Sequence, residues 1–178
     1  MSLMKDKRTS VVSIRVPDTI KEQLENESDL NNITLNANIA KILQKHVDWH
    51  MYMPDTNFIY ASKEFIKNIL DNVNEKTVQK ISLDICVEQF RDSIEFMQGE
   101  VNKSTLLKTL DNYLSSSNLP FRKIIIDDKQ RYIINHNMGQ KWSLYFELLF
   151  SSLCDEVGYK IQGKKSDSQT ISFTLEEV

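Results

Sequence analysis

Three short stretches carry residues whose types and spacing can do chemistry. In TSVVSIRVPDTI, residues 9–20, Val11, Ser13 and Arg15 alternate with Val12, Ile14 and Val16. One face of an extended segment therefore bears a hydroxyl and a guanidinium, and the other is wholly apolar. A guanidinium offers a planar fork of donors to paired acceptors, and a hydroxyl donates or accepts. His46 and His50 stand four apart, so they share a helix face. That spacing suits a metal, but a site needs a third or fourth ligand and only Asp55 lies near, so no metal site is expected. In INHNMGQKWSLYF, residues 134–146, Asn135, His136 and Asn137 precede Gly139 and a helical pattern. A helix N-terminus there can attract a small anion. The plainer reading, a turn in which His136 bonds locally, is the one adopted.

The elements that must position these residues follow from periodicity. Residues 9–16 alternate over a length that specifies a half-buried strand, which Pro17 ends. Asp18 or Thr19 is placed to cap a helix to about residue 29, with Ile20 and Leu24 on one face. Thr34 caps a second helix to about residue 49, carrying Leu35, Ile39, Ile42, Leu43 and Val47 as a stripe. This strand, helix, turn and helix are too small to hold a full core alone. MYMPDTN, residues 51–57, contains breakers at Pro54 and Asp55, so the domain boundary is placed there.

Beyond it FIY (58–60) reads as a short strand, and Ser62 caps a helix with Phe65, Ile66, Ile69 and Leu70. Residues 76–97 fit both periods; length favours a helix that ends in a short strand at IEFM. Leu106, Leu107, Leu110 and Leu114 mark another helix, closed by SSSNLP. Two hairpins, RKIIIDDKQRYIINH and GYKIQGKKSDSQTISFTLEE, flank a helix whose Trp142, Tyr145, Phe146, Leu149, Phe150 and Leu153 form a core stripe. The fold class expected is α+β, with an antiparallel sheet covered by helices on one face.

Composition sets bounds on function. The 178 residues are 40% hydrophobic and 26% charged, with a net charge of −3. A core is therefore expected, and any nucleic-acid binding must come from a local patch. Four bases against one acid give residues 5–15 a charge of +3, so the rest of the chain carries −6. Cys86 and Cys154 form neither a disulfide framework nor a paired-cysteine metal motif. No apolar run reaches the roughly 18 residues of a membrane span. With no signal-peptide pattern either, a soluble cytoplasmic protein is expected. Gly-rich phosphate loops and nucleophile elbows are absent from the sequence, and the Asp127-Asp128 pair reads as a solvated turn. Neither catalysis nor a cofactor is expected.

VSIRVPD at 12–18, the pair Ile20 and Leu24, and NITLNANIAKIL at 32–43 resemble the ribbon-helix-helix DNA-binding family, the Arc, Met and CopG type of repressor. The likeness covers residues 1–50. It implies that the strand pairs with its twin from a second subunit, over a dimeric four-helix core. The core would hold Val12, Ile14, Val16, Ile20, Leu24, Leu35, Ile39, Ile42 and Leu43. The two-stranded ribbon would enter the major groove of duplex DNA with Val11, Ser13 and Arg15 facing the bases. Val11 departs from the family's more usual polar choice there. The start of the second helix, with Thr34, Asn36 and Ala37, would grip phosphate, helped by Lys7 and Arg8 of the basic arm.

Residues 54–178 are loosely similar to the C-terminal regions of archaeal regulators and would sense an unidentified effector, oligomerise, or both. The His and Cys ligand run of nickel-responsive relatives is missing. The expectation is a homodimeric transcriptional regulator, with higher oligomers open to it. The alternative is an antitoxin-like protein whose second domain binds a protein partner and whose DNA binding is autoregulatory.

Overall fold

The computed structural model describes residues 9–56, 58–127 and 129–177. The chain divides into two compact units, residues 1–44 and 45–178.

In the first unit, residues 9–17 belong to no helix or strand and are exposed. Helix α1 spans Asp18–Leu30 and α2 spans Leu35–Asp48. Neither Asp18 nor Thr19 caps α1. Its N-cap is Pro17, whose carbonyl accepts from the Ile20 and Lys21 N–H groups, while Asp18 sits in the first turn, where a carboxylate suits the helix dipole. Asn32 takes a positive φ of 53° in the turn between the helices, a conformation asparagine tolerates. Thr34 caps α2, its Oγ accepting the Ala37 N–H at 3.2 Å. Asn38, buried on α2, donates to the Glu27 carboxylate at 3.1 Å and fastens the two helices together.

The second unit opens with a 3-10 helix at His50–Asp55. Phe58 and its neighbours form no strand. Phe58 instead joins an aromatic cluster, 5.3 Å from Trp49 and 6.1 Å from both Phe90 and Tyr113. Ser62 caps α3 (Lys63–Asp71), and Asn74 caps α4 (Glu75–Ile81). A π-helical turn, Ser82–Cys86, leads into α5 (Val87–Gln98), which ends at the left-handed Gly99. A reciprocal cap between Asn102 and Thr105 starts α6 (Lys103–Ser116).

The ambiguous stretch 76–97 is thus helical throughout. IEFM is no strand, because Ile94 and Met97 are buried at helical spacing within α5. The inward positions Val78, Ser82, Cys86, Phe90 and Ile94 step by four residues each. Four-residue steps outrun a 3.6-residue turn, and the wider π turn absorbs the excess and keeps the stripe facing inward. Ser82, fully buried, donates to the Tyr145 carbonyl at 2.9 Å and ties the π turn to the later helix α7 (Gln140–Glu156).

Two hairpins complete the unit: β1 (Phe121–Ile126) with β2 (Lys129–Asn135), and β3 (Tyr159–Ser166) with β4 (Thr170–Glu177). Between them lies α7 (Gln140–Glu156). The four strands form one antiparallel sheet in the order β1-β2-β4-β3. Tyr132, Ile134, Ile171, Phe173 and Leu175 pack from its inner face onto Trp142, Phe146, Leu149, Phe150 and Leu153 of α7, with the leucines of α6 and Phe90 and Ile94 of α5 alongside. The architecture is α+β. Among the described residues, no helix is long and apolar enough to cross a membrane.

Candidate functional site

The residues expected to meet bases, Val11, Ser13 and Arg15, are all exposed, Val11 at 97%. So are most of those expected to form a dimer core. Val12, Ile14, Val16, Ile20, Ile42 and Leu43 are exposed, Ile14 at 61%, and Leu24, Leu35 and Ile39 are half-buried. One chain therefore brings α1 and α2 together through Asn38 and leaves Ile20 of α1 and Ile42 and Leu43 of α2 open to water. Burying such side chains is worth about 1.5–3 kcal/mol each. Among the described residues, 9–16 have no ladder partner. Lys7 and Arg8 lie outside the described residues.

At the start of α2, Thr34, Asn36 and Ala37 are exposed together. The Thr34 cap takes the Ala37 N–H, and the first-turn N–H groups of Leu35 and Asn36 point out of the helix end, where an anion is favoured. His50 does not face a ligand cluster. Its Nδ1 shares a 2.6 Å hydrogen bond with the Tyr60 hydroxyl, and burial, with Lys45 and His46 nearby, lowers its pKa.

His136 is fully buried and every polar atom of its ring is used. Nδ1 accepts the Met138 N–H at 3.0 Å, which places the proton on Nε2. Nε2–H donates to Ser143 Oγ at 2.9 Å, and the Ser143 hydroxyl donates in turn to the Asp167 carbonyl at 2.6 Å. The ring stacks 4.5 Å from Trp142. Burial pushes the imidazole down to about 4, against the pull of Asp167. The Asp167 carboxylate accepts the N–H groups of Gln169 and Thr170, which lower its own pKa. The histidine thus locks the β2–α7 turn to the β3–β4 turn, with the His136 N–H on the Gln169 carbonyl and the Gly139 N–H on that of Ser168. Nothing in this arrangement is open to a substrate.

A cavity of about 600 Å³ lies between α6 and the inner face of the sheet, lined among others by Lys103, Lys108, Asp111, Asn112, Lys123, Gln130 and Tyr159. Its lysines are matched by acids: Lys103 with Glu177 at 3.4 Å, Lys108 with Asp48 at 3.8 Å and Lys123 with Asp111 at 3.0 Å. Asp111 also accepts the Tyr132 hydroxyl at 2.8 Å; burial first, and then this carboxylate, raise the Tyr132 pKa. The Gln130 side-chain oxygen is buried here without a hydrogen-bond partner. Sequence reasoning missed this cavity, because its walls come from segments more than 70 residues apart with no shared motif. A scan against protein-family models and a search of curated proteins return no match to this chain.

Proposed function

We propose that the chain is a homodimeric, sequence-specific DNA-binding transcriptional regulator. Its N-terminal strands pair between subunits, and the resulting ribbon reads the major groove. The observation that supports this most is the uncovered apolar stripe of the first unit beside a segment of strand-like sequence that lacks a ladder. An amphipathic strand and two amphipathic helices without a core of their own call for a second copy. Pairing residues 9–16 antiparallel would bury Val12, Ile14 and Val16 and turn Ser13 and Arg15 outward together. Arg15 would take guanine, Ser13 a neighbouring acceptor or donor, and Val11 a thymine methyl. The exposed first turn of α2 would hold the phosphate that sets register. The second unit, with its paired-charge cavity, is the place for an effector.

The test is selection of duplexes by the purified protein, followed by the same selection with Arg15→Ala. Wild type is expected to enrich a pseudo-palindromic site and to bind it less tightly as salt rises. Arg15→Ala is expected to stay dimeric and lose the preference at one base position in each half-site. Failure of wild type to bind any duplex at low salt sinks the proposal.

Exposed Ile59, Tyr60 and Phe65 in the second unit support the antitoxin-like alternative, in which a protein partner covers them. A partner retained in stoichiometric amount through purification, and released by Phe65→Asp, would favour it.

A further inference from the structure

The sheet has two edge strands, and they are built differently. Edge strand β3 carries Lys160, Lys164 and Lys165, and its pairing with β4 is interrupted between Gln162 and Lys165, where Gly163 takes a φ of 59°. Lysines and a bulge are how sheets discourage further strands from adding. Among the described residues, edge strand β1 has neither an irregularity nor a cover: it pairs with β2 in unbroken register from Phe121 to Ile126, and Ile125 is 68% exposed and Ile126 59%. Such an edge is a template for another strand.

Its sequence specifies which one. Residues 122–128 read RKIIIDD: two bases, three isoleucines, two acids, a charge palindrome about Ile125. We infer that β1 pairs antiparallel with β1 of a second copy about a two-fold axis at Ile125, joining two four-stranded sheets into one. An axis perpendicular to the sheet pairs residues on the same face, so it must pass through a residue and not between two. Centred on Lys123, it would oppose two ammonium groups. Centred on Ile124, it would set Lys123 against isoleucine. Centred on Ile125, it sets isoleucine against isoleucine three times and brings Lys123 towards the partner's Asp127, the first residue of the turn that follows β1. Opposite charges and paired β-branched residues are the favourable cross-strand combinations. Lys123 already lies 3.0 Å from Asp111, so its ammonium would bridge two carboxylates. This interface uses no residue of the DNA-reading unit and stands or falls apart from it.

The test is cysteine pairing in the full chain, carrying Cys86→Ser to remove the more exposed native thiol and Ile14→Asp to remove any ribbon contact. Residues opposite one another across an antiparallel pair have Cα atoms about 4.5–5.5 Å apart, within disulfide reach. Ile125→Cys is expected to give a covalent dimer on mild oxidation, and Ile124→Cys, one residue away, little. In the same background Ile125→Lys is expected to weaken self-association, measured by sedimentation, about tenfold or more with the circular dichroism unchanged. A covalent dimer that forms better at residue 124 overturns the register. No covalent dimer at residue 125, or a sedimentation profile indifferent to Ile125→Lys, overturns the interface, and a bound strand from another protein would then be the edge's occupant.

Discussion

The two units of this chain treat their apolar residues in opposite ways. The second buries an aromatic and aliphatic core, from Phe90 on α5 through Phe146 on α7 to Phe173 on β4, within one polypeptide. The first has a well-capped second helix and clear stripes, yet Val12, Ile14, Ile42 and Leu43 face water. Amphipathicity alone is therefore not a core. Two helices can be fastened by one buried asparagine and still lack the area that stabilises a domain. The contrast teaches where the protein depends on concentration and where it does not.

The largest effect expected is in the self-sufficient unit. Phe146→Ala should cost about 3–5 kcal/mol at any protein concentration, read as a lower denaturant midpoint. In an Ile125→Lys background, which removes the β1 contact, Ile14→Asp should do the reverse: it leaves the melting of a dilute sample unchanged and abolishes the rise in melting temperature with protein concentration. If the Ile125→Lys protein melts without concentration dependence whether or not it carries Ile14→Asp, the comparison breaks, because the first unit would need no partner. Arg15→Ala should cost about 1–3 kcal/mol in binding a selected site, with non-specific binding reduced far less.

His136 sharpens the comparison through pH. Its folded pKa, about 4, lies below the 6.5 of a free imidazole, so the unfolded chain takes up the proton first as pH falls. The stabilisation from the neutral ring is complete above about pH 6.5 and is lost progressively towards pH 4, by about 1.4 kcal/mol for each pH unit crossed. Thermal melts across that window should show a fall in the second unit that His136→Asn, less stable at neutral pH, does not repeat. The smallest effect is local: Asn102→Ala should remove the cap of α6 for about 1 kcal/mol, measured by chemical denaturation.

Much of the fold is legible in the sequence because it is decided within a few residues. Thr34 and Ser62 announce helix starts and act as their caps. The runs on either side of Asp127 and of Asp167 announce hairpins and form them. What eluded reading depends on partners far along the chain. FIY looks like a strand, but Phe58 is taken by Trp49, Phe90 and Tyr113. Residues 76–97 look divided between two periods because the inward stripe advances by fours, which only a π turn docked on Tyr145 makes consistent. Pro17, not Asp18 or Thr19, is the N-cap of α1.

The sequence by itself determined the amphipathic faces, most of the helix starts, the two hairpins and the charge palindrome at residues 122–128. Each is a matter of side-chain order against a backbone repeat of two or 3.6 residues. Tertiary structure alone decided that β1 lies at an edge, that His136 is locked onto Ser143 and the Asp167 carbonyl, and that a cavity opens beside α6. These depend on which distant segments share a layer, and short-range periodicity cannot encode that choice.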